Sequence, residues 1–348
     1  MIEYTAVSER RDKVEKIKQI IEKYKEKIFE LDNVVGVGCG YKQIQNRFTD
    51  EESIVVLVEK KLSEEELAQE HIVPQSIEEQ QTDVIEVGKV ELLAAGDQVR
   101  TTEMRPAQPG VSIGHYKITA GTFGAVVKDK RTQEKLILSN NHVLANISDG
   151  KDGRAQMGDE ILQPGSYDGG EGNNNVIAHL ERFIPIYDQR ANNCPFIAGV
   201  EKVVGGLGSV LNLPYRVKPI ILENKVDCAV AKPKSEDLIT EEILGVGLVT
   251  DIAQAKPGIK VKKSGRTSGI TTAKVKAINA TINVQLSEND TALFTDQIIT
   301  EPFSQPGDSG ALVVNRHNQA VGLLFAGSQK SSVCNNIKNV IKALDISF

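Results

Sequence analysis

The sequence predicts a mainly β protein, α+β overall, in which a small N-terminal α/β sandwich precedes a larger all-β region. Three observations carry that expectation. Val14, Ile17, Ile21, Tyr24, Ile28 and Leu31 fall on one helical face among many Lys and Glu. From Ile113 onward the pattern changes to short apolar runs separated by Gly and Asn, the punctuation of strands and turns. Between the two lies a polar stretch with Pro106 and Pro109, which reads as an exposed linker. At 348 residues the chain is long enough for two real cores.

Taken in order, the helical stripe is narrow enough to cover one face of a small sheet. Val34–Tyr41 and Ile54–Val58 follow as strands. Ser63-Glu64-Glu65-Glu66 is a capping box opening a short helix, with Pro74 beyond its end. Asp83–Leu93 returns as a strand. This α-β-β-α-β order fills residues 1–95, leaving 96–112 as the linker and 113–348 as the β region. Gly36-Val37-Gly38-Cys39-Gly40 lacks the third-glycine spacing and the following helix of a nucleotide loop. In the β region, strands are expected at Gly124–Lys128, Lys135–Ser139, Asn175–Phe183, Val226–Ala231, Gly245–Thr250, Lys260–Ser264, Thr272–Val284, Gln297–Thr300, Ala311–Val314 and Ala320–Ala326. Asn335–Leu344 is expected as a helix. Residues 183–217 read as an inserted helical lobe carrying apolar residues suited to a subunit contact.

Composition excludes several partner classes. Forty-one Lys and Arg against 47 Asp and Glu give a net charge of −6 with no basic block, so a nucleic-acid footprint is not expected. The Met1-Ile2-Glu3-Tyr4 start followed by a charged segment does not read as a signal peptide. No uncharged apolar run approaches the roughly 20 residues that span a membrane. Cys39, Cys194, Cys228 and Cys334 are widely spaced, without metal-ligand pairing, which suggests a reducing, cytoplasmic setting. Asp149, Asp152 and Asp159 lack calcium-loop spacing and read as solvated turns. His71, His115, His179 and His317 cluster with nothing. No metal or cofactor is expected.

The chemistry concentrates in three places. Gly307-Asp308-Ser309-Gly310 offers a serine whose loop glycines let the N–H groups of Gly307 and Ser309 point at one oxygen, as an oxyanion hole requires. Asp308 is expected to turn inward and form an ion pair that holds the loop. Leu136–Ser139 is an apolar strand running into Asn140, Asn141 and His142. Val226–Ala231 is an apolar strand carrying one acid, Asp227, which needs a hydrogen-bonding partner if buried. The order His142, Asp227, Ser309 is that of the chymotrypsin-like triad. It is neither the subtilisin order nor the α/β-hydrolase order, and Ala311 stands where a nucleophile elbow needs Gly.

These motifs, with Thr119–Ala125 and the segment Ser264-Gly265-Arg266-Thr267-Ser268-Gly269, make the chain from about Gly121 onward resemble a trypsin-like (chymotrypsin-fold) serine peptidase. The whole chain is similar to a bacterial trypsin-like group that distantly resembles plant narrow-leaf trypsin-like proteins. The resemblance implies a chymotrypsin-like double β-barrel and a serine endopeptidase with His142, Asp227 and Ser309 as triad. It also implies a substrate site formed by Phe303, Ser304, Phe325, Ala326 and Gly327. Phe303 would floor the primary pocket, with Glu301 two residues off, so an uncharged, small-to-medium apolar residue is expected before the cleaved bond. Leu324–Gly327 offers no hydroxyl to the triad acid. Resemblance and inserted lobe together favour a homo-oligomer, a trimer or hexamer, acting on protein or peptide substrates. The N-terminal sandwich is expected to gate or orient the protease and to leave a foldable β region when deleted. The alternative is a trypsin-like scaffold whose work is binding or assembly, with latent or minor hydrolysis.

Overall fold

A computed structural model describes residues 2–44, 47–90, 100–188, 222–288 and 290–348. The chain begins with α1 (Ile2–Phe29), followed by β1 (Val34–Ile44), β2 (Arg47–Val58), β3 (Ser76–Ile77) and β4 (Gln80–Glu86). The helical stripe does what its spacing predicts. Ile17, Ile20, Ile21 and Ile28 are buried against Val37, Cys39, Ile54, Val56 and Val58 of β1 and β2, each such side chain contributing about 1.5–3 kcal/mol of transfer free energy. The capping box forms, with Ser63 N–H and Oγ donating to the Glu66 carboxylate at 2.9 and 2.8 Å. It opens only a 3₁₀ turn, Glu64–Glu66, because Leu67 is already extended. The expected short α-helix is therefore absent there. The strand expected at Asp83–Leu93 starts earlier and ends at Glu86, and residues 91–93 lie outside the described ones.

The first barrel uses β5 (Ser112–His115), β6 (Gly121–Thr122), β7 (Ala125–Asp129), β8 (Lys135–Ser139), a one-turn helix α2 (Asn141–Leu144), β9 (Glu160–Leu162) and β10 (Val176–Phe183). After the short β11 (Glu223–Asn224) comes β12 (Ala229–Pro233), and these strands join in the order β7-β8-β12-β10-β9-β5-β6. Because β6 leads straight into β7, the sheet curls back on itself around Val111, Ile113, Phe123, Ile137, Ile161 and Ile177. The second barrel follows with β13 (Asp251–Ile252), β14 (Lys260–Gly265), β15 (Gly269–Gln285), β16 (Thr291–Thr300), β17 (Leu312–Asn315), β18 (Gln319–Gly327) and β19 (Ser332–Asn336). Strands β16-β19-β18-β17-β14-β15 pair in turn and β15 pairs back with β16, a closed ring of six antiparallel strands. The helix α3 (Ile337–Leu344) then crosses back, and β20 (Ile346–Ser347) pairs with β7 of the first barrel. The fold is the mainly β, double-barrel arrangement that the motifs implied, carrying an N-terminal α/β addition.

Several elements fall differently from the sequence reading. Asp227 precedes its strand, which begins at Ala229. Gly245–Thr250 is a tight turn rather than a strand, with Gly245 and Gly247 at positive φ and the Ile243 and Gly247 backbones bridged. Asn335 belongs to β19, and Asn336 caps α3 by accepting from Lys338 N–H. The stretch expected as exposed linker is packed where it is described. Ala107 and Val111 are fully buried, and the Arg100 guanidinium donates to Gly110 O and Ser264 Oγ. The inserted lobe at 183–217 lies outside the described residues from 189 on, as does Cys194.

The N-terminal unit is not set apart from the second barrel. β1 pairs antiparallel with β15, Gly36 opposite Ile282 and Gly40 opposite Ala277, so one sheet runs from β4 into the barrel. The face of β1–β2 opposite α1 contributes Val55 and Leu57 to a cluster shared with Ile282, Phe294 and Phe325. Removing residues 1–100 would strip this cluster and leave the β1-facing edge of β15 unpaired, which bears directly on the expectation that the β region folds without them. The glycine run has a packing reason rather than a ligand one. A Cβ at Gly36 would sit 2.8 Å from Thr281 O, and one at Gly40 would sit 2.8 Å from Lys276 O. Gly36→Val should drive β1 from β15 and lower stability by about 2 kcal/mol, the usual cost of overpacking, read as a lower denaturant midpoint.

Candidate active site

Strands β8 and β12 are neighbours, with Ser139 opposite Ala229. The residues just beyond the two paired ends, His142 on α2 and Asp227 before β12, are thereby brought together. His142 Nδ1 is hydrogen-bonded to Asp227 Oδ2, and the His142 backbone N–H donates to Oδ1 at 3.2 Å. Asp227 is 1 % exposed, and its main chain is clamped from both barrels. Asn140 Nδ2 donates to its carbonyl at 2.7 Å. Asn335, from β19, donates to the same carbonyl and accepts the Asp227 N–H, both at 3.0 Å. Among the described residues no side-chain hydroxyl reaches the Asp227 carboxylate, which is held by the histidine ring and the His142 backbone N–H. Burial first, then the Asp227 charge, pushes the adjacent Cys228 thiol well up, so it stays protonated and inert.

Ser309 enters from the second barrel on the turn before β17. Its Oγ donates to Phe325 O at 3.2 Å, and among the described residues the buried His142 Nε2 has no hydrogen-bond partner. The histidine and aspartate are thus linked, while the serine hydroxyl is turned to the main chain of β18. Catalytic hydrogen bonds often tighten only when substrate is bound.

The serine's loop is held by the residue between its glycines. Asp308 is fully buried and accepts from five donors. Lys263 Nζ at 2.9 Å, Ser268 Oγ at 2.5 Å and Gln305 N–H at 2.8 Å reach Oδ2, and the N–H groups of Thr267 and Ser268 reach Oδ1 at 3.0 Å. Lys263 is equally buried, and burial pulls its ammonium below its usual pKa range against the raising effect of Asp308. Gly307 and Gly310 take φ of +94°, the left-handed region that favours glycine. Thr122 holds the loop from the first barrel, its Oγ1 donating to Gly307 O and its N–H to Ser309 O. Among the described residues no protein acceptor takes the N–H of Gly307 or Ser309, the two donors an oxyanion hole would use. Next door, Arg266 is fully buried, bidentate to Asp168 and 5.5 Å from the Tyr167 ring, so the hairpin tip is tied to the first barrel as well.

The expected substrate residues divide. Ser304 Oγ meets Ser332 Oγ at 2.6 Å, and Ala326 and Gly327 end β18 beside the serine. Phe303 does not floor a slot. Its ring is buried in the second-barrel core with Val261, Val275, Ile298, Val313 and Leu324. Phe303→Asp would therefore bury an unpaired carboxylate in that core rather than create a pairing site. The Phe325 ring likewise packs on Phe294 at 4.8 Å, and only its carbonyl faces the serine. Glu301 is occupied, accepting from Lys274 N–H at 2.9 Å. Lys263, Thr122, Asn335 and Arg266 were not singled out as site residues.

His115 and Asp159 correct the reading of a lone histidine and a solvated turn. Both are buried, and His115 Nε2 lies 2.9 Å from Asp159 Oδ2 while its Nδ1 accepts from Lys117 N–H.

The comparisons with known proteins add likenesses of shape. No protein-family model and no curated protein matches the sequence. Among solved structures, Thermobifida fusca protease A is 13 % identical, with 69 % of this chain and 96 % of that one covered and a TM-score of 0.44. A Nocardiopsis protease is 14 % identical over 69 % and 97 %, with a TM-score of 0.41. Cellulomonas bogoriensis chymotrypsin is 13 % identical over the same shares, also at 0.41.

Two outcomes are expected from this geometry. Lys263→Met leaves the Asp308 charge buried alone and should cost about 3–5 kcal/mol. Lys263→Met combined with Asp308→Asn should recover part of that loss, which a double-mutant cycle by urea unfolding measures. Burial holds the pKa of His115 below its usual value despite Asp159. Below about pH 6.5 the unfolded chain takes a proton that the folded chain refuses. Stability is thus full above that pH and falls as the pH drops below it. His115→Gln should flatten the urea midpoint between pH 7 and pH 5.

Proposed function

We propose that the chain is a serine endopeptidase in which Asp227, His142 and Ser309 act together through an acyl-enzyme. The observation that carries this reading is the placement, at the seam of the two barrels, of an Asp-bound histidine whose buried Nε2 has no partner among the described residues, and of a serine loop in which the N–H groups of Gly307 and Ser309 are likewise unpaired. Asp227 keeps the proton on Nδ1, so Nε2 is the basic nitrogen. When a peptide enters, the Ser309 hydroxyl leaves Phe325 O and gives its proton to Nε2 as Oγ attacks the carbonyl. The N–H groups of Gly307 and Ser309 receive the oxyanion, a contribution of roughly 3–4 kcal/mol per essential donor. His142 then protonates the leaving amine, and water repeats the sequence on the acyl-enzyme. No step requires a metal or cofactor.

The residues bordering the serine are uncharged where side chains are short, namely Ser304, Ala326, Gly327 and Ser332. None of these four residues carries a carboxylate, so a cationic side chain bound against them would have no partner. The residue before the cleaved bond is therefore small to medium and apolar, and Lys or Arg outpacing Ala, Val or Leu in a peptide library would overturn this. One observation favours the second reading, a binding scaffold with latent hydrolysis: Ser309 is 1 % exposed, and its hydroxyl is engaged by Phe325 O. A fluorophosphonate probe separates the two. Labelling of the full chain that disappears in both Ser309→Ala and His142→Ala is expected, with Asp227→Asn losing about 10⁴ in kcat. No labelling of the native chain at any pH favours the scaffold.

A further inference from the structure

The edge of β18 nearest Ser309 is open. β17 pairs with β18 only as far as Leu312 opposite Leu323, and the next contacts are Gly310 N–H to Leu324 O and Leu324 N–H to Ala311 O. Among the described residues Ala326 and Gly327 pair on their other side alone, with Val333 and Ser332 of β19. An extended peptide reaching Ser309 can add to this edge, taking its affinity from main-chain hydrogen bonds. That makes the position of Phe325–Gly327, and of the turn that follows, a determinant of binding.

This turn is held by the N-terminal unit. The Val87 carbonyl, one residue past β4, accepts the hydroxyls of both Ser328 and Ser331. Ser328 N–H closes the turn on Ser331 O at 2.8 Å, and Ser328 Oγ also accepts from the N–H groups of Lys330 and Ser331. Glu86 is ion-paired with Lys330, whose carbonyl accepts Lys276 Nζ at 3.0 Å. Behind the turn, Val87 and Val90 are buried in one cluster with Phe325 and Ala326. A single carbonyl from outside the barrel thus meets two hydroxyls of one four-residue turn, directly after the open edge.

We propose that the segment Glu86–Val90 is a brace for the substrate edge, and that Ser328 and Ser331 are positioning residues that transmit it. Their effect falls on the peptide residues preceding the cleaved bond. The proposal rests on the peptidase reading for the location of the edge, and binding tests it without chemistry. In full-length Ser309→Ala, calorimetry with a hexapeptide of small apolar residues should give a Kd about tenfold weaker when Ser328→Ala and Ser331→Ala are added, the loss of roughly one hydrogen-bonding group. Ser328→Thr with Ser331→Thr, which keeps the hydroxyls, should restore at least half of the loss. Glu86→Gln should weaken binding in the same direction and by less. In the chain with Ser309 intact, the same pair of alanines should raise KM about tenfold with kcat held within twofold. Unchanged affinity in the alanine pair, equal loss in the threonine pair, or no binding of the peptide to Ser309→Ala overturns the brace. If peptide binds and responds to these variants while the native chain takes no fluorophosphonate, the brace stands and the peptidase reading fails.

Discussion

The geometry around Ser309 depends on one buried ion pair. Asp308 and Lys263 are both removed from water, and either charge alone would carry a penalty of several kcal/mol. What makes the pair tolerable is that the Asp308 carboxylate is saturated, by the ammonium and by four further donors from the β14–β15 hairpin and its own loop. The loop cannot drift without breaking several of these bonds at once. Its positive-φ glycines and the unpaired N–H groups of Gly307 and Ser309 are consequences of that anchoring. On the proposed peptidase reading these donors would be oriented before a substrate arrives, the condition under which electrostatic stabilisation is effective.

The site lies on a seam, and each side of the seam reaches over it. Thr122 of the first barrel grips the loop of the second, and Asn335 of the second holds the main chain of Asp227 in the first. Arg266 and Asp168 repeat the pattern at the hairpin tip. The interface is also apolar, with Leu136, Leu138 and Val230 packed on Leu312, Leu323 and α3. Side-chain amides, a threonine hydroxyl and aliphatic packing together fix the two halves of the candidate triad to the same frame. A third unit, β1 to β4, joins that frame through β15 and through the turn after β18.

Motif spacing made His142, Asp227 and the Gly307–Gly310 loop legible in the sequence, and periodicity made α1 and most strands legible. The inward turn of Asp308 was legible as an ion pair that would hold the serine loop. Its partner was not, since Lys263 sits three residues into a strand whose neighbours Lys260 and Lys262 are ordinary surface positions. Phe303 was misplaced because counting back from the serine fixes a chain position and not a side-chain direction. The backbone there is tied by Thr271 Oγ1 and Ser332 Oγ, which turns the ring inward. Gly36, Gly38 and Gly40 read only as a failed nucleotide loop because the strand that demands their small size is β15, distant in sequence. The linker was misread for a similar reason, as Ala107 and Val111 are buried by partners far along the chain.

The pairing of β1 with β15 also shapes how this chain reaches its native state. β1 keeps one edge unsatisfied until β15, a strand of the second barrel far along the chain, arrives. Such long-range closure is slow, because loop entropy is lost before the contacts reward it. Meanwhile the Val34–Ile44 edge is a template for the wrong partner, another nascent copy included. The sequence is armed against this in a limited way. The three alternating glycines weaken the strand's intrinsic extended preference, and Lys42 interrupts its apolar run. The same small residues that admit β15 so closely in the finished barrel thus leave the waiting edge a poor nucleus for aggregation.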